Sequence, residues 1–200
     1  MLPQLYHARL ADRSLINVSV VVLLDRYNIY PLKYPLRTIE RVLNMDQKAF
    51  QEYYPENLSH CYGCGRFNEH GLQIKSYWDG EETVCIFHTQ PYHMAVPGYV
   101  YGGLIASLID CHCTGTAAAA AYRAEGRSMG TEPALRFLTA SLHVDYLRPT
   151  PLGVPLEVRA TIKEIKGRKV VVSATVSAEG QACARGEVVA IKAPEHLIPK

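Results

Sequence analysis

Apolar and polar positions alternate in short runs along most of this chain, and once the alternation stops. Leu72 to Trp78 alternates, Asp79-Gly80 has the chemistry of a tight hairpin turn, and Thr83 to His88 alternates again. Two paired strands are therefore predicted. Gly102 to Ala124 is apolar almost throughout and rich in Ala and Leu. It is too long for a strand and predicts one buried helix. After a loop over Glu125 to Pro133, four strand-like runs follow: Arg136 to Leu147, Leu156 to Lys166, Lys169 to Ala178 and Cys183 to Lys192. Pro149 and Pro151 end the first, and Gly167 and Gly180 supply turns between the later ones. A hairpin, one buried helix and an antiparallel meander make an α+β chain. A sheet that must cover an apolar helix curls around it, which is the arrangement of the hotdog fold.

Patterning is poor before residue 45. Pro3, Pro31 and Pro35 interrupt it, and residues 1–44 carry six basic against three acidic side chains. This stretch reads as an N-terminal extension, either a loosely packed or disordered arm or a segment ahead of a true start at Met45. Residues 45–200 read as the domain, opening with a short helix over Asp46 to Tyr54 that Pro55 stops.

Composition changes the picture mainly by exclusion. With 48% hydrophobic and 20% charged residues, the 200-residue chain has globular values and material for a core. A net charge of +2 does not call for nucleic acid. The apolar run from Val18 to Leu24 is far short of a membrane span and lacks the cleavage chemistry of a secretory signal. A soluble, cytoplasmic protein without a membrane partner is expected. The six cysteines then read as reduced thiols rather than a disulfide framework. Cys61-x-x-Cys64 is half of a zinc site, but the nearest other pair, Cys111 and Cys113, diverges on a helix. No metal and no cofactor are expected.

The candidate chemistry lies at the start of the predicted helix. Gly102 and Gly103 leave the first helical N–H groups bare at the positive end of the helix dipole, where they can polarise a carbonyl. Glycine pairs also serve simply to let elements pack closely. Asp110 is the only carboxylate between Gly102 and Ala124. A charge on a buried helix is costly unless paired or used, so Asp110 is a catalytic candidate, the alternative being a structural pair with His112. Eight helical residues, about 12 Å, separate it from Gly102. Both can serve one site only if Asp110 comes from a second copy of the chain, as in a two-fold dimer with antiparallel helices.

Four segments together carry a resemblance. These are Cys61-Tyr62-Gly63-Cys64-Gly65 with Asn68 and Gly71-Leu72; Pro97-Gly98-x-Val100-x-Gly102-Gly103; Ser107-Leu108-Ile109-Asp110; and Val144-x-Tyr146-Leu147-Arg148-Pro149-Thr150-Pro151. From Cys61 to about Pro194 the chain resembles the PaaI-like branch of the hotdog thioesterases. The resemblance implies hydrolysis of acyl-CoA by a homodimer or a tetramer of dimers. The amide of Gly102 or Gly103 would polarise the thioester carbonyl, Asp110 of the facing subunit would activate water, and Thr139 would hold that water. Tyr101 stands where the family usually carries His, and His93 is the nearest polar side chain for orienting the substrate. Arg148 and Arg168 are candidates for the CoA phosphates, since a planar guanidinium suits them. The rival readings are a hotdog hydratase or dehydratase, a non-catalytic acyl-CoA-binding protein, and a zinc-stabilised interaction domain.

Overall fold

The helix predicted from the apolar run forms with the predicted bounds. In the computed structural model, which describes residues 48–194, α1 spans Gly102–Ala124. Leu104, Ile105, Leu108 and Ile109 are buried, and so is almost every residue from Cys111 to Tyr122. An apolar helix of this length would also suffice for a bilayer span. Here 72% of its apolar window is covered by the chain's own fold, as befits a core helix.

The cover is one six-stranded antiparallel sheet. β1 (Tyr77–Asp79), β2 (Glu82–His88), β3 (Phe137–Tyr146), β4 (Pro155–Lys166), β5 (Lys169–Ala178) and β6 (Gln181–Lys192) lie in the order β1-β2-β4-β5-β6-β3. Alternation in β4 and β5 turns Leu156, Val158, Val170, Val172 and Val176 toward the helix with almost no exposure. Sequence period and core are the same pattern here. Arg159 ties the hairpin to the sheet, its guanidinium reaching Asp79 at 2.8 Å, Glu82 at 3.0 Å and Glu157 at 3.0 Å.

Two predicted elements are shorter than their patterns. Alternation from Leu72 yields a strand only from Tyr77. Gln73 adopts φ 54°, and the amides of Leu72 and Ile74 bond Tyr62 and Gly63 of the cysteine loop instead of a neighbouring strand. Of the predicted Asp46–Tyr54 helix, the described part forms a single 3-10 turn, Phe50–Tyr53. The Phe50 amide bonds the Ser76 carbonyl, and the Gln51 side chain bonds both the amide and the hydroxyl of Ser76. Tertiary hydrogen bonds override a weak local preference. The extension predicted over residues 1–44 lies outside the described residues.

Candidate active site

Tyr101 caps α1 with extended backbone and no side-chain bond to the helix. The amides of Leu104 and Ile105 reach the Tyr101 carbonyl, while those of Gly102 and Gly103 find no acceptor among the described residues. This is the pair of bare donors the glycines predicted. The exposed Tyr101 ring folds back over the helix start. A Cβ added to Gly103 would lie 2.4 Å from its Cε1, so glycine there leaves room for the ring. Opposite, the Tyr146 hydroxyl donates to the Gly102 carbonyl at 2.8 Å, fixing the first turn of α1 to the end of β3.

A cleft of about 390 Å³ opens at this point, lined by Val100, Gly102, Ile105, Tyr146, Arg148 and Thr150 among others. Thr150 lines it, and its hydroxyl is buried without a hydrogen-bond partner among the described residues. Buried polar groups are normally satisfied, and this one is an exception at the edge of the cleft. Tyr146 and Thr150 both belong to the Val144-to-Pro151 motif, but only the fold gives them a task. Their residue types carry no signal of it.

Asp110 lies two turns further along α1. It is half-buried rather than fully enclosed, and it belongs to a stripe with Gly103, Ala106, Ser107 and Thr114 that the sheet leaves partly uncovered. The Thr139 hydroxyl donates to Asp110 Oδ1 within the same chain. Thr139 reaches it from β3 beside an irregularity: Thr139 pairs with Ala190 and Ser141 with Val189, leaving Ala140 as a bulge. Bulges re-aim neighbouring side chains, and this one serves the residue that meets the acid.

His112 is not the partner of Asp110. Its ring points into the core, Nδ1 against Ser76 Oγ at 2.9 Å and Nε2 against Thr83 Oγ1 at 3.2 Å, with Thr83 bonded in turn to Thr116 at 2.6 Å. Burial pulls its pKa down to about 4, so the ring is neutral at neutral pH. His93 stacks near Phe87 and Tyr92, and its Nδ1 accepts the Gln90 amide at 3.0 Å. The Tyr101 amide bonds the His93 carbonyl, so His93 reaches the helix start through backbone rather than its ring. Arg148 lines the cleft and bonds Gln181 at 2.5 Å. Arg168 sits at the β4–β5 turn and bonds the Lys192 carbonyl. That is the end of the sheet away from Tyr146, since Lys192 pairs with Phe137 at the start of β3.

Comparisons with known proteins bear on the fold and the family. The sequence model of the thioesterase superfamily matches residues 97–184, which run from the approach to α1 into β6. Acyl-coenzyme A thioesterase THEM4 of Mus musculus is 33% identical over 71% of this chain and 57% of its own length. THEM4 of Xenopus laevis is 33% identical over 54% of this chain and 43% of its own. The chain thus spans about half the length of the curated relatives it matches. PaaI of E. coli, at 15% identity and a TM-score of 0.50, shares the fold. A thioesterase superfamily protein from Shewanella loihica PV-4 is 50% identical, with a TM-score of 0.54, over 70% of this chain and the whole of that one. Half-identity across an entire homologous chain, on a hotdog fold with the superfamily's match over the helix and sheet, places this protein in the thioesterase superfamily.

Proposed function

We propose that the protein is an acyl-CoA thioesterase working as a homodimer, with each site shared between two chains. The observation that carries the reading is the spatial separation of two half-sites on one helix: bare Gly102 and Gly103 amides at its start, and the Asp110–Thr139 pair two turns on. A base must lie within about 3 Å of its target or act through one water, so neither half completes the other within a chain. An antiparallel partner helix would bring the partner's Asp110 to the glycines.

The edge of the sheet supports such a partner. β3 is ten residues long and, among the described residues, pairs only with β6. It exposes Leu138, Leu142 and Tyr146. A long apolar edge with unpaired backbone groups is a template for association.

In the assembled site the thioester oxygen would accept the Gly102 or Gly103 N–H. Donors aimed at a developing oxyanion strengthen as charge builds. Asp110 of the facing subunit would take a proton from water as its oxygen attacks the carbonyl carbon. Thr139 already occupies Oδ1, leaving Oδ2 for that water. Collapse of the tetrahedral intermediate breaks the carbon–sulfur bond, and the departing thiolate of CoA takes up a proton. The cleft at Tyr146 and Thr150 would receive the pantetheine arm, with Arg148 at its mouth for phosphate.

Thiol release from aromatic and straight-chain acyl-CoAs tests the reading directly. Wild type should turn over at least one class, and Asp110→Asn should fold and dimerise normally while losing about a hundredfold or more in rate. Tight binding of CoA esters with no thiol release by wild type would sink hydrolysis and leave an acyl-CoA-binding protein.

A further inference from the structure

The cysteine motif that the proposed chemistry leaves unused has a third member in space. Cys61, Cys64 and Cys111 bring their sulfurs within 4.8 Å of one another, and Cys61 and Cys111 are 3.9 Å apart. Zinc–sulfur bonds of about 2.3 Å in a tetrahedron set ligand sulfurs about 3.8 Å apart. The predicted obstacle, that Cys111 and Cys113 cannot act as a pair, does not arise, because only Cys111 is needed. Cys113 is fully buried and lies outside the cluster.

The surroundings are shaped for this convergence. Gly63 lies so close to α1 that an added Cβ would stand 2.2 Å from Cys111 Sγ. Any side chain there would push the loop off the helix. Arg136 holds its guanidinium over the Tyr54 ring at 4.6 Å, close enough for its charge to act on Cys64. No carboxylate lies within salt-bridge distance of Arg136 among the described residues. Three thiolates around a divalent cation carry one net negative charge, and Arg136 supplies its counter-charge. Cys61 is half-exposed while Cys64 and Cys111 are buried, so solvent has access to one side of the cluster.

We propose that Cys61, Cys64 and Cys111 form a site for a thiophilic d10 cation, zinc foremost, with water completing the tetrahedron and Arg136 balancing the charge. Such a site would clamp the Cys61–Gly71 loop onto α1 one residue beyond Asp110. It is independent of the thioesterase reading, because its donors take no part in that chemistry.

The full chain, reduced and freed of metal, is titrated with zinc and with cadmium. Cadmium is the probe because its thiolate complexes absorb in the ultraviolet. One metal per chain should survive gel filtration, with charge-transfer absorbance and three thiols shielded from alkylation. Cys64→Ser and Cys111→Ser should abolish stoichiometric retention. Cys61→Ser, at a half-exposed position, should do the same with an unchanged circular dichroism spectrum. Arg136→Gln should weaken retention by about 10–100-fold, as loss of a group supporting metal ligands does. Cys183→Ser should retain the metal. A reduced protein that holds neither metal overturns the site, as does retention that persists in Cys61→Ser. A disulfide among these cysteines in the protein as isolated, detected by mass, also overturns it and marks a redox pair instead.

Discussion

Asp110 and Thr139 form a unit whose parts are separable by mutation. Thr139→Val keeps the volume and removes the hydroxyl that occupies Asp110 Oδ1. If Thr139 orients the carboxylate toward water, thiol release should fall by about tenfold or more with little change in KM, because the interaction acts on the chemical step rather than on binding. An unchanged rate would reduce Thr139 to a surface residue. His112 makes the opposite case: a histidine beside a candidate acid whose work is structural. It joins Ser76 to Thr83 inside the core. His112→Leu should cost about 1–3 kcal/mol in denaturant unfolding, from buried hydroxyls losing a partner, with turnover of the folded fraction preserved. Lost turnover at full stability would overturn that assignment.

The decisive element is β3, and its two ends have different tasks. Tyr146 at one end holds the start of α1, and Thr139 near the other meets Asp110 around a bulge. Between them the strand offers an edge with exposed leucines that no strand among the described residues covers. Placing a charge there is a direct test. Leu142→Arg should convert the proposed dimer to monomer in sedimentation, because like charges would meet across a two-fold interface. Thiol release should be lost with it. A monomer that retained full activity would show that one chain suffices.

For the whole molecule, a shared site makes a prediction that no single variant can. Gly103→Val blocks the helix start and Asp110→Asn removes the base, so each homodimer should be nearly inactive. Mixed by reversible unfolding, the two should recover about a quarter of wild-type activity, since half the dimers are hybrids and each hybrid holds one intact site. No recovery in verified hybrids would put the amide and the acid in the same subunit's service and exclude the two-chain mechanism.

Sequence alone determined those features whose physics is local or periodic. The apolar run set α1 residue for residue. Period-two alternation set β4 and β5, and the same residues became the core. Paired glycines announced bare amides, and helix rise announced that Asp110 could not reach them. Tertiary structure decided whatever depended on segments far apart in the chain. It halted the Leu72 strand, because the cysteine loop took up its backbone bonds. It turned His112 away from Asp110, because Ser76 and Thr83 lay on the inner side of the helix. It brought Thr139 to Asp110 through a bulge that no spacing rule foretells. It also gave Cys61 and Cys64 their third sulfur, since the contact of a loop with a helix some fifty residues later follows from how the sheet closes around α1. Periodicity records which face of an element is buried; it holds no record of what that face will meet.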